Sequence, residues 1–275
     1  MKKTVLSLVL MCVLSSAALT DEVMAHDPAS ATYIANEGVL VTNGDTKIMF
    51  DPLFDEGFGT YLTLPAETRA KMMAGEAPFD GINAVFVSHA HGDHFAAKDM
   101  AAYLDAQPGV HLFAPQQAIN RLMLALMPGA DDMSRIHSFS LNEGDAAITK
   151  SIDGITAEAV RIAHAGNRPT IENTIFRVTL NDSVTVMHMG DANANLATYR
   201  PHESHWKAKA TDMAFPPYWL VSDARGLEII DFINIDKVVG THVPIKVPND
   251  LKRSGADYFT TPGETRLIGR GHSHE

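Results

Sequence analysis

Cysteine is all but missing from this chain of 275 residues: the one present, Cys12, stands in the apolar run from Val5 to Leu14. Lys2 and Lys3 precede that run, which is too short to cross a bilayer and is followed by small residues, the pattern of a secretory signal. Two cleavage points fit, after Ala18 and after Ala25, and the second lies closer to the start of the folded pattern near Tyr33. Residues 1–25 are therefore expected to be removed on export, leaving 26–275 as one secreted or periplasmic domain. Twin arginines are absent, and Met11 rather than a small residue precedes Cys12, so the general export route is expected and lipid attachment is not. A mature chain without thiols excludes disulfides, a cysteine nucleophile and thiolate ligands, so any metal must be held by imidazole and carboxylate.

Other absences narrow the class further. No later apolar run approaches membrane-spanning length, so no stable anchor is expected once the signal is gone. Positive charge is scarce: 22 basic against 33 acidic residues give a formal net charge of −11, which opposes binding to phosphate backbones and makes nucleic acid an unexpected partner. A small molecule is the expected substrate. Short-period repeats and low-complexity linkers are missing too, and roughly 250 residues suit a single large domain. The oligomeric state leaves no trace in the sequence.

What is present alternates between strand and helix patterns. Two apolar runs between Val39 and Phe50, split by Asn43-Gly44-Asp45, predict a hairpin that Asp51-Pro52 ends. Residues 53–80 form a long connection with a short helix after Pro65, the kind of excursion that walls a pocket or simply packs on the surface. Further strands are expected at 84–88, 110–113, 148–151, 155–162, 174–180, 184–188 and 237–239, with helices at 96–106, 116–126 and 224–232. The loop with Pro128-Gly129-Ala130-Asp131 and the tail from Gly269 are expected to lie outside these elements. Strands followed by helices in each half suggest two packed sheets with helices outside.

The chemistry concentrates in Ser88-His-Ala-His-Gly-Asp-His-Phe95. If the preceding strand continues through it, His89 and His91 share a face because strand residues two apart do. Gly92 then lets the chain turn, so that Asp93 and His94, from the turn and first helical position, aim at a neighbouring point. Packing alone would leave several partly buried imidazoles and a carboxylate unpartnered, which is expensive, so the cluster points to metal. Further ligands are expected at later strand ends: His164 after Ala159–Ala163, Asp191 after the strand closing on Gly190, and His242 after Val238-Val-Gly-Thr241.

In this order, His89-x-His91-x-Asp93-His94, His164, Gly190-Asp191 and His242 resemble the metallo-β-lactamase-fold hydrolases, over nearly the whole mature chain. Gly38-Val-Leu-Val and Phe50-Asp-Pro are similar to that family's opening hairpin. The resemblance implies an α/β protein, an αββα four-layer sandwich with a two-metal site. One ion would take His89, His91 and His164, the other Asp93, His94 and His242, with Asp191 bridging. The antibiotic-destroying members typically lack this aspartate, and one group of them uses a cysteine. Asp191 therefore makes the chain more similar to the lactonase, thioesterase and phosphodiesterase branches, with β-lactamase activity as an alternative.

Two divalent ions about 3.5–4 Å apart would lower the pKa of a bridging water and polarise a carbonyl or phosphoryl oxygen, so hydrolysis is the expected reaction. Asp93 and Asp191 are the candidate catalytic carboxylates, either able to take the proton as hydroxide attacks. Imidazole and carboxylate ligands suit zinc best and also accept iron or manganese. A protein that sequesters metal without catalysis is the alternative from another class. His188 reads as a packed core residue, His202 and His205 as either solvated or at the site mouth, and Phe215-Pro-Pro-Tyr218-Trp219 as core or pocket wall. His272 and His274 offer two further imidazoles that could scavenge metal, but two histidines in the tail are weak evidence of a site.

Overall fold

A computed structural model describes residues 28–125 and 133–269. The expected signal segment 1–25, the loop around 128–131 and the tail histidines 272 and 274 lie outside the described residues. The first half contains β1 (Ser30–Ala35), β2 (Gly38–Asn43), β3 (Thr46–Phe50), α1 (Ala66–Ala74), β4 (Ile82–Phe86), α2 (Ala97–Ala106), β5 (His111–Pro115), α3 (Gln116–Ala125) and β6 (Ile136–Phe139). The second contains β7 (Ile148–Ile152), β8 (Ile155–Arg161), β9 (Thr174–Leu180), β10 (Val184–His188), α4 (Glu203–Ala208), β11 (Met213–Phe215), α5 (Ala224–Phe232), α6 (Asn249–Ser254) and β12 (Thr265–Leu267).

Period-two alternation assigns each strand residue to a layer. On β2, β3 and β4 the side chains of Val39, Val41, Ile48, Phe50, Ala84 and Phe86 meet Phe176, Val178, Val184 and Val186 of β9 and β10 in one core between the sheets. Their neighbours Leu40, Met49 and Val85 face the other way and pack with Met100, Tyr103, Leu104, Ile119 and Leu122 of α2 and α3. On the far side, Val160, Ile175 and Met187 pack under Tyr199, Trp206, Ile229 and Ile230 of the second helical layer. Each such aliphatic or aromatic side chain contributes about 1.5–3 kcal/mol by leaving water. The result is helix, sheet, sheet, helix, the four-layer order the family resemblance implies.

The seven-stranded sheet runs β12-β1-β2-β3-β4-β5-β6 and the five-stranded sheet β11-β10-β9-β8-β7. β3, β4, β5 and β6 are parallel, whereas β8, β9 and β10 alternate, so β8 and β10 run the same way. The loops leaving β3, β4, β8 and β10 supply the site described below.

Several sequence expectations need correction. β4 ends at Phe86 rather than residue 88, and the histidine cluster lies in the loop before α2, which begins at Ala97. His89 and His91 thus do not sit on a strand, nor does His94 open a helix. The strand expected at 237–239 is reduced to isolated bridges, Ala214 with Val238 and Gly240 with Tyr258. β6, β11, β12, α4 and α6 were not expected, and β1 begins three residues before Tyr33. Among the described residues no helix is long and apolar enough to cross a membrane.

Candidate metal centre

The loop from β4 to α2 is built around Asp51, which directly follows β3. Its Oδ1 accepts the Ser88 backbone N–H at 2.7 Å, and its Oδ2 lies 2.8 Å from His94 Nδ1. The Ser88 hydroxyl donates to the same Oδ2 and lies 3.0 Å from His89 Nδ1. Nδ1–H of both His89 and His94 is thereby engaged and each Nε2 is turned inward, where the neutral ring presents the lone pair that metal binding needs. Burial opposes charge on His94, but Asp191 and Asp51 outweigh it and hold the imidazole well above its ordinary value, so an ion there takes the place of a proton. His164 reaches the same state, with Nδ1 2.5 Å from the Ala165 carbonyl.

His164 and Asp191 come from loops after β8 and β10 that are stitched together: Ala165 N–H donates to Asp191 O at 2.8 Å and Asn193 N–H to Ala163 O at 3.0 Å. Gly190, at φ +51°, makes the turn; an added Cβ would meet Asn173 Oδ1 and Ser88 Cβ at 2.6 Å each. Asn173 Oδ1 accepts the Asp191 N–H at 2.9 Å, which fixes the aspartate backbone. His242 follows a bridged segment in the left-handed region at φ +55°, its N–H bonded to Asn36 O at 3.1 Å. Such a conformation costs a non-glycine residue about 1–3 kcal/mol and persists where surroundings enforce it.

All seven residues named from the sequence converge. His91 Nδ1 lies 3.0 Å from His89 Nε2 and 3.1 Å from His164 Nε2, which lies 3.2 Å from Asp191 Oδ2. On the other side, His242 Nε2 lies 3.3 Å from Asp93 Oδ2 and 3.1 Å from Asp191 Oδ1, and His94 Nε2 lies 3.5 Å from that same oxygen. The two oxygens of Asp191 therefore face two different groups. Both groups, His89-His91-His164-Asp191 and Asp93-His94-His242, have ligand atoms within 4.8 Å of one another.

These spacings fit cations. Nitrogen ligands about 2.0–2.1 Å from a tetrahedral zinc stand about 3.3 Å apart. His94 Nε2, His242 Nε2 and Asp191 Oδ1 are buried without a hydrogen-bond partner, a loss of about 1–3 kcal/mol each that a shared ion removes. Burial and then His94 hold His89 well below the ordinary imidazole value, and burial with His164 lowers His91 to about 4, so both carry free lone pairs. Burial opposes charge on Asp191 as well, but His242 and His94 outweigh it and keep the carboxyl well below its usual range.

Glu37, in the turn between β1 and β2, was not singled out from the sequence. It is fully buried, and burial pushes its carboxyl up to about 8, partly offset by His94 and His242. His188 stacks on Phe50 at 5.0 Å and has Nε2 3.0 Å from Glu37 O, so it is the packed core histidine expected. His205 lies within α4 and His202 immediately before it, both beside Trp206, with His205 Nδ1 3.7 Å from Glu158, rather than at the site mouth. The aromatic run divides: Phe215 joins the core between the sheets, while Trp219 stands 5.6 Å from His242 and donates to Ala192 O at 2.9 Å. Tyr61, from the long 53–80 connection, also abuts His242, with ring centroids 3.9 Å apart.

Residues 30–209 match the Beta-lactamase superfamily domain. Among solved structures, a possible metal-dependent hydrolase from Veillonella parvula is 16% identical, with TM-score 0.60 over 88% of this chain and 100% of that one. Igni18, a metallo hydrolase from the archaeon Ignicoccus hospitalis, is 17% identical, with TM-score 0.58 over 88% and 99%. An isothiocyanate hydrolase from Delia radicum gut bacteria is 17% identical, with TM-score 0.53 over 86% and 98%. At such identities these likenesses speak for the fold. No curated protein matches the chain.

Proposed function

The chain belongs to the β-lactamase superfamily, and from that premise we propose that it is an exported hydrolase with two divalent ions, one on each side of Asp191, acting on an ester, lactone or phosphodiester of a small molecule. The observation that carries this reading is the aspartate itself: one carboxylate oxygen faces three imidazoles while the other faces Asp93, His94 and His242. A protein that only stores a cation has no need of a carboxylate shared between two groups. Zinc suits the donor set best, with manganese or iron as substitutes.

Bound ions would supply a polarised scissile oxygen and a water acidic enough to act as a nucleophile near neutral pH. The remaining work falls to the chain. Asp51 and Ser88 hold the His94 and His89 rings in one tautomer, and Asn173 fixes Asp191. Asp93 and Asp191 offer the acceptor oxygens that can take the proton released on attack. Tyr61 and Trp219 flank His242 and keep water from that side. Burial, then Asp191, pushes the Tyr61 phenol above its ordinary value, so it stays a hydrogen-bond donor to an incoming oxygen.

The test is a panel of a lactone, a thioester, a phosphodiester and a β-lactam, assayed with and without chelator. Chelator-sensitive turnover of one of the first three is expected, restored by zinc or manganese. Bound metal with no turnover would mark a sequestering protein, and turnover of the β-lactam alone would mark the other enzymatic branch. Export is tested by fractionation and N-terminal sequencing, the expected mature end being His26.

A further inference from the structure

A cavity of about 400 Å³ opens beside His164, lined among others by Glu143, Arg168, Asn193, Asn195 and Thr198. Its volume suits a small molecule rather than a polymer. Hydrogen bonding within the lining makes it rich in donors. Asn193 Oδ1 already accepts from Asn195 N–H at 3.3 Å and from the Thr198 hydroxyl at 3.0 Å, and Asn195 Oδ1 accepts from Ala197 N–H at 3.2 Å. The amide oxygens are thus occupied locally, which leaves the NH₂ groups of both side chains as what the lining has to offer. Arg168 is the one permanent cation among the lining residues, and its charge is felt at His91, where it opposes protonation. Unlike Arg177, which Glu158 holds, it forms no ion pair among the described residues.

We propose that this cavity is an anion subsite: Arg168, with the amides of Asn193 and Asn195, seats a carboxylate or phosphate of the substrate while its scissile bond lies at the His164–Asp191 centre. This rests on the hydrolase reading and narrows it to anionic small substrates. A guanidinium matches planar or tetrahedral oxyanions with two parallel N–H bonds, and such charge-assisted pairs are about twice as strong as neutral ones. The surrounding surface is acidic, with a formal net charge of −11, so a local cation within about 8 Å of the anion's seat is needed to offset its general repulsion. Arg168 and Glu143 are both exposed lining residues, and the carboxylate of Glu143 disfavours a second negative charge and limits the guest to a single anionic group.

The experiment uses metal-loaded protein and matched substrates of the bond class that turns over, one bearing a carboxylate, one a phosphate and one the neutral carboxamide. Arg168→Gln is expected to raise KM for the anionic members about 10- to 100-fold with kcat nearly unchanged, and to leave the carboxamide within about 2-fold. Arg168→Lys restores part of the loss, and Glu143→Gln lowers the anionic KM about 2-fold. The carboxylate and phosphate arms report which oxyanion the seat prefers. Calorimetry with butyrate against butyramide reads the same preference without turnover. Butyrate binding that weakens in R168Q while no substrate turns over would sink the hydrolase reading and keep the subsite. Turnover with equal KM shifts for charged and neutral substrates, or with none, would overturn the subsite alone.

Discussion

At the scale of single residues, Asp51 and Gly190 decide whether the ligands are aimed. Asp51 lies at φ +37° and binds both Ser88 and His94, so asparagine, which tolerates that conformation, removes its charge and one acceptor while keeping its shape. Asp51→Asn is expected to weaken metal retention about 10- to 100-fold in chelator competition, with little change in unfolding temperature without metal. An unchanged affinity would show that His94 needs no orienting carboxylate. Gly190 has both a positive φ and no room for a methyl group, since Asn173 and Ser88 lie 2.6 Å from where its Cβ would stand. Gly190→Ala is expected to cost about 2 kcal/mol, a fall of about 4–8 °C in Tm, and to displace Asp191. An alanine variant with full stability and full metal content would contradict that assignment.

At the scale of elements, the outer face of the β8–β9 pair carries a buried ion pair whose partners stand opposite one another in register. Arg177 is 1% exposed and binds Glu158 through two N–H bonds of 2.9 and 2.8 Å, while Lys209 O takes a third at 2.9 Å. Glu158→Gln leaves that guanidinium under the helical layer with its charge uncompensated, at an expected cost of about 3 kcal/mol by chemical denaturation. A loss below about 1 kcal/mol would mean water reaches the arginine. His205 completes the group, and burial, then Arg177, lowers it to about 4 against about 6.5 in an unfolded chain. Because its folded value is the lower one, the unfolded chain binds the proton first, and stability present above pH 6.5 is lost as pH falls toward 4. His205→Gln should flatten the stability curve in that window; an unaltered slope would assign acid sensitivity elsewhere. Strand and helix patterns with a full face to bury, such as β9, β10 and α5, were legible residue for residue. The three- and four-residue strands β6, β11 and β12 were not, because so short a stretch has no periodicity to read and exists only through its sheet neighbours.

For the whole molecule, the site gathers at one end of the sandwich because β3, β4, β8 and β10 all deliver their following loops there. That shared position made six of the seven side chains legible in the sequence, His242 instead following a segment held by isolated bridges, and the expected reason for the His89–His91 pairing was wrong: a loop pinned by Asp51 and Ser88 brings them together, not a strand face. Asp51 read only as a strand stop and Glu37 was not singled out, since their roles depend on partners far along the chain. The 53–80 connection and the Phe215–Trp219 run were legible as possible pocket walls, but not that Tyr61 and Trp219 are the residues that reach His242, since neither segment carries a motif that singles them out. The most direct test of the account is a crystal structure of the purified, metal-loaded protein with anomalous scattering recorded at the metal edge. Two peaks flanking the Asp191 carboxylate are expected, one within bonding distance of His89, His91 and His164 and the other of Asp93, His94 and His242. A single peak on one side, or none with the histidines hydrogen-bonded to one another, would contradict it.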